Sequence, residues 1–211
     1  MKLVGMIFVI ALTITLPLMK FYQRTNWTKK QSIINILLLS FLCFLIHAPL
    51  HEFCHFIGAK LMNVEIIDYQ FFSKLSFKNF QSAYITTSSR TANQAFIIRM
   101  APYIKDITFA FVSFLILKRK QINSSFLVGL IFSIGLLLSA FNIFENLLLG
   151  YPNKIGDWYE LSKTIGHFWT WIIGIIMLGT ILFLIYRIFK IYKDFPEKMN
   201  LEVVSDTNKG V

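Results

Sequence analysis

Charge is scarce in this chain, and acidic charge scarcer still: 15% of its 211 residues are charged, with 11 Asp and Glu against 21 Lys and Arg. With 55% hydrophobic residues, 22 Phe and a mean hydropathy of +0.60, the composition excludes an ordinary soluble domain. Cysteine is nearly absent. Cys43 and Cys54 lie eleven positions apart in apolar, helix-like sequence, too far along one straight helix for a disulfide, so they indicate no cross-link and no redox compartment. There is no internal repeat, no low-complexity tract and no long polar stretch with room for a separate soluble module, which points to one compact membrane domain. A net charge of +10 would suggest nucleic acid in a soluble protein. Here the basic residues cluster in short loops beside apolar runs, where they set membrane orientation, and no nucleic-acid partner is expected.

What the chain does have is a series of apolar runs, each near the roughly 20 residues that a bilayer requires. The first spans about Leu3 to Met19 and lacks the small residues of a cleavage site, so it reads as an uncleaved anchor. The second starts near Ser32 and continues to Met62, with a kink expected at Pro49 because proline cannot donate to the carbonyl one turn back. From Asn63 to about Arg90 the alternation in "VEIIDYQFF" and "SAYITTSS" predicts two short strands. Further spans are predicted from about Met100 to Leu117, Phe126 to Leu149 and Phe168 to Ile188, with "GYPNKIGDWYELSKTIG" as the linker before the last. The expected fold is an all-α polytopic membrane protein of about five transmembrane helices, with a small β-hairpin insertion between the second and third. Residues 1–31 form the N-terminal span and basic loop, 32–190 the membrane-embedded core, and 191–211 a charged, aperiodic tail.

Lys20, Arg24, Lys29 and Lys30, then Lys118, Arg119 and Lys120, then Arg187, Lys190 and Lys193 all fall on one side of these spans. The positive-inside rule makes that side cytoplasmic and the N-terminus external.

One motif carries chemistry. His51, Glu52 and His55, in "HAPLHEFCHFIGAKLM", form H-E-x-x-H at the end of an apolar run. On a helix, positions i and i+4 project from one face about 6 Å apart, so both imidazoles reach one tetrahedral metal while the glutamate reaches a water on it. With this chain's own frequencies the pattern would arise by chance about 0.002 times. Ionisable groups in apolar helices are costly and usually functional; the bland alternative is a polar membrane edge facing water. The expected cofactor is one Zn2+ per chain, and the expected reaction is hydrolysis with Glu52 as general base. A third ligand must come from elsewhere. The best candidate is Asp157, because the C-terminal ends of the second and fourth spans lie on the same side of the membrane whichever way the chain is inserted. Glu145, an acid inside a span, is the rival, or else a partner of Arg99 or Lys105.

"LHEFCHFIGAKL" on a membrane helix, a strand-like insertion and a distant "PNKIGD" together resemble the site-2 protease type of intramembrane zinc metalloprotease, especially its small bacterial zincin-peptidase group. The second motif of that family is N-x-x-P-x-x-x-x-D-G. Pro152 and Asp157 match it, while Leu149 stands at its Asn and Trp158 at its Gly. The resemblance, over roughly residues 32–165, implies His51, His55 and Asp157 as zinc ligands, Glu52 as general base and an intramembrane protease activity.

Around the motif, His47 lies one turn before His51, within reach of the ligands' outer partners, and Cys54 shares the metal-facing side. Asn142 and Asn146 read mainly as a helix-joining pair, and His167, with Trp169 and Trp171, as an interfacial belt. The expected partners are the lipid bilayer and a membrane-protein or peptide substrate, held at a strand edge around Ile66 to Phe72 or Ala83 to Thr87; the sequence sets no oligomeric state. Two other functions fit less well: a metal- or haem-binding protein using His47, His51, His55 and His167, and a catalytically silent relative serving as chaperone or immunity factor.

Overall fold

The computed structural model describes residues 11–23, 29–72, 74–75, 80–81, 83–122 and 124–193. The predicted tail beyond Lys193 and the start of the predicted first span, residues 3–10, lie outside the described residues.

The chain is mostly helical, 80%, with a small antiparallel β insertion. Helix α1 joins a π-helical stretch, Ala11–Thr15, to an α-helical one, Leu16–Tyr22. Helix α2, Lys29–Leu61, carries Pro49 within it, and α3 is Ala92–Lys118. Helix α4, Ser125–Gly150, includes π-helical stretches at Phe132–Leu137 and Glu145–Gly150. A short α5, Asp157–Ile165, precedes α6, His167–Lys193. Among the described residues, α2, α3, α4 and α6 are each long and apolar enough to cross a membrane.

Helix α4 forms the centre. Of its most apolar window 72% is buried, against 22% for α2 and 28% for α6. Its small residues Gly129, Ser133, Gly135, Ser139 and Ala140 are all buried and let neighbouring helices approach closely. At one end of the bundle Tyr22 donates to the Ser125 carbonyl (2.9 Å), Asn35 to Ser125 Oγ (3.1 Å) and Tyr192 to the Leu117 carbonyl (3.3 Å), which ties α1, α2, α3, α4 and α6 together. The opposite end gathers the C-termini of α2 and α4, the N-terminus of α3, α5 and the β insertion.

In that insertion β1, Ile66–Gln70, pairs with β4, Tyr84–Thr87, in the register Ile66↔Thr87 to Gln70↔Tyr84, with an irregularity between Ile66 and Asp68. Between them β2, Lys74–Leu75, pairs with β3, Phe80–Gln81, so the expected hairpin is a longer one than its two predicted strands. Tyr84 donates to Asp68 Oδ2 across the main pair (2.6 Å).

Two element boundaries differ from expectation. Helix α3 starts eight residues before Met100. Thr91 and Gln94 form a capping box there, with the Thr91 side chain accepting from the Gln94 amide and the Gln94 side chain accepting from the Thr91 amide. Those first turns are too polar to read as part of a span. The predicted linker also folds into α5. Gly156, at φ +82°, supplies the left-handed turn before it, and Trp158, Leu161 and Ser162 bury one face.

Candidate metal centre

Every part of the site can be built from α2 outward. His51 and His55 face the same side of α2, and Asp157, opening α5, reaches both. Asp157 Oδ2 lies 2.8 Å from His51 Nε2 and 2.9 Å from His55 Nε2, and the two Nε2 atoms are 3.2 Å apart. The other two ring nitrogens are committed to fixed partners. His55 donates Nδ1–H to the Ile98 carbonyl at 2.8 Å, and a carbonyl can only accept. Gly58, one turn on, lets α3 approach here: a Cβ would lie 3.2 Å from Ile98 Cα and 3.3 Å from Ala101 Cβ, so an alanine would require α3 to give by a few tenths of an ångström. His51 donates Nδ1–H to Asn142 Oδ1 at 3.0 Å. The Asn142 amide cannot turn round, because its Nδ2 donates to Asp106 Oδ2 (2.6 Å), and Asp106 in turn pairs with Lys105 (2.5 Å).

With both Nδ1–H groups bonded outward, the two Nε2 atoms face one carboxylate oxygen at hydrogen-bonding distance. A proton on either Nε2 donates to that oxygen, and rings without it would offer their lone pairs to a cation. A tetrahedral ion with bonds of 2.0–2.1 Å to N and O ligands has ligand-to-ligand edges of about 3.3 Å. The three separations found here, 2.8, 2.9 and 3.2 Å, are hydrogen-bond lengths, up to about 0.5 Å shorter than those edges, so an ion would seat among the three atoms after they move slightly apart. The three residues therefore form a group that can hold a metal ion. Burial alone would raise the Asp157 carboxyl, but the His55 and His51 imidazoles outweigh it and hold the group well below the usual carboxylate range. Tyr103 donates to the same oxygen from 3.4 Å and packs on the fully buried Trp158 (centroids 4.6 Å apart). Trp158, which stands at the glycine of the second site-2 motif, thus belongs to the floor under Asp157.

A cavity of about 220 Å³ opens over this group, lined by His51, Glu52, His55 and Asp157 from the helices and by Ala83, Tyr84, Ile85 and Thr87 from β4 and the residue before it. Arg90, Ile98 and Arg99 complete its wall. Burial and the neighbouring Arg99 guanidinium pull the Arg90 pKa down.

The other expected residues are placed elsewhere. Glu145 meets His47, Nε2 to Oε2 at 3.1 Å, and pairs with neither Arg99, which binds Glu160, nor Lys105, which binds Asp106. Cys54 is buried and stands outside the group. His167 bonds the Tyr151 hydroxyl, so His47 and His167 both turn to partners other than the pair of motif histidines. Asn142 does more than join helices, since it fixes a candidate ligand. The sequence offers Lys105 only as a partner of Glu145 and leaves Asp106 unremarked, although an acid within an apolar run is itself a functional signal. Arg90 had no local pattern to reveal it.

No protein-family model matches this chain, and neither does any curated protein or solved structure.

Proposed function

We propose that this chain is a multi-pass cell-membrane zinc metallopeptidase that hydrolyses a peptide bond at the membrane edge. The observation that carries the reading is the convergence of His51 Nε2, His55 Nε2 and Asp157 Oδ2 on one point beside Glu52, in a cavity walled by an extended strand. His51, His55 and Asp157 would hold a zinc ion, which when bound would supply a water of pKa near 7 and polarise a carbonyl. Glu52, next to His51 in sequence and on the same cavity wall, accepts the proton of the attacking water and delivers it to the departing amide nitrogen. The Asn142–Asp106–Lys105 chain holds His51 in the tautomer that keeps Nε2 free, and the Ile98 carbonyl does the same for His55. A helical substrate hides its carbonyls in internal hydrogen bonds. Among the described residues the main sheet consists of β1 and β4 alone, and an unwound substrate segment laid beside β4 presents its carbonyl to the cavity.

The decisive experiment measures zinc and peptide cleavage on the same purified protein. Wild type should carry one zinc per chain and cleave. Glu52→Gln should keep the zinc and lose about 10²–10⁴-fold in rate. Wild-type protein without stoichiometric zinc, or undiminished cleavage by Glu52→Gln, would refute the proposal. The same reading puts the site on the external side, so a reporter fused after Lys120 should be cytoplasmic; an external signal there would reverse the orientation.

A further inference from the structure

The cavity wall holds two arginines that hydrolysis itself does not require. Arg99, two turns into α3, is fixed from α5: its Nη2 lies 3.3 Å from Glu160 Oε2 and its Nη1 donates to the Glu160 carbonyl at 3.3 Å. Arg90, on the segment that leaves β4, is placed differently. Among the described residues its hydrogen bond goes to the neutral Thr87 hydroxyl at 2.9 Å and it makes no ion pair. Both side chains line the cavity that holds Glu52 and the histidine pair. Burial and Arg99 disfavour the Arg90 cation while Asp157 and Glu160 favour it, and a further anion between the two guanidiniums would add to that compensation. Planar guanidinium forks favour a planar, bidentate partner.

We infer that this cavity takes a carboxylate of the substrate, clamped by Arg90 and Arg99 while the bond to be cut lies against Glu52 and the histidines. The inference rests on the metallopeptidase reading and specifies its substrate class. The carboxylate is the free C-terminus of a chain, or the side chain of an Asp or Glu flanking the cleaved bond.

Binding to Glu52→Gln protein, which does not turn substrate over, tests this without relying on activity. Three acetylated peptides of one sequence serve as probes: one with a free C-terminus, one amidated, and one amidated with an internal Asp. At least one carboxylate peptide should bind about tenfold tighter than the neutral amide, and which one does so identifies the source of the carboxylate. Adding Arg90→Gln should reduce that ratio to within about twofold. Arg99→Gln should act in the same direction. Arg90→Gln is the safer variant, because Arg99 also ties α3 to α5. Equal affinity for all three peptides, no binding of any, or a ratio untouched by Arg90→Gln would overturn the inference, as would tighter competition by inorganic phosphate than by the carboxylate peptides. Carboxylate-selective binding by a wild-type protein that cleaves none of the peptides would leave the anion clamp standing and count against the peptidase reading alone.

Discussion

Helix α2 carries two histidine–carboxylate pairings one turn apart, and among the described residues only one of them brings together enough ligand atoms to hold a metal ion. His47 with Glu145 and His51 and His55 with Asp157 are almost equally buried, with side-chain exposures of 10% and 23% in the first pairing and 12%, 10% and 19% in the second. Burial does not distinguish them, and neither does distance, 3.1 Å against 2.8 and 2.9 Å. The difference lies in convergence and in what holds the far side of each ring. His47 offers one imidazole to one carboxylate, with its ring edge against Phe141 (centroids 4.9 Å apart). The second group brings three donor atoms to one point and fixes both far nitrogens through Asn142 and Ile98. A lone His–Glu pair satisfies itself. Two anchored imidazoles around one oxygen bring together enough ligand atoms to hold a metal ion.

The comparison is broken most directly by removing a donor. His55→Ala leaves two protein ligands, and zinc per chain should fall from about one to near zero, with cleavage falling to background. Metal analysis after desalting reads this, and undiminished zinc would exclude His55 as a ligand. Asp157→Asn should also lose zinc and activity, because a neutral amide is a far poorer ligand than a carboxylate. Next in size is Asn142→Leu, which keeps all three donors but frees the His51 ring and strands the Asp106 carboxylate; zinc affinity should drop about 10–100-fold, measured by competition with a chelator. Affinity equal to wild type would mean that the Lys105–Asp106–Asn142 chain serves packing only. Smallest is Glu145→Gln. Its amide oxygen still accepts from His47, so zinc should stay at wild-type stoichiometry while thermal stability in detergent falls by about 1 kcal/mol. Zinc lost from Glu145→Gln but kept in Asp157→Asn would invert the comparison.

The parts of this site that could be read from the sequence are those written locally or by topology. His51 and His55 are four apart on one helix, and span parity puts Asp157 on their side of the membrane, which needs no knowledge of packing but leaves Glu145 as a rival. The apolar runs located α2, α4 and α6 within a few residues because hydropathy averages over many positions. Helix α5 escaped because nine residues with a polar face resemble a loop when only runs of span length are sought. The early start of α3 escaped for a related reason, since its first turns are held by a capping box rather than by hydrophobicity. Glu145 looked free to bind Arg99, Lys105 or a metal, and only packing assigns it to His47. Arg90, after β4, and Arg99, on α3, come to line one cavity with Glu52 through tertiary packing, which has no local signature.

The long sequence interval between the donors has a consequence for synthesis. His55 and Asp157 are 102 positions apart, so a growing chain exposes two imidazoles well before the carboxylate that completes them exists. A nascent chain ending anywhere before α5 has the motif but not the group. The three-residue group therefore assembles only after α3 and α4 have been made, and a truncated or stalled product lacks it.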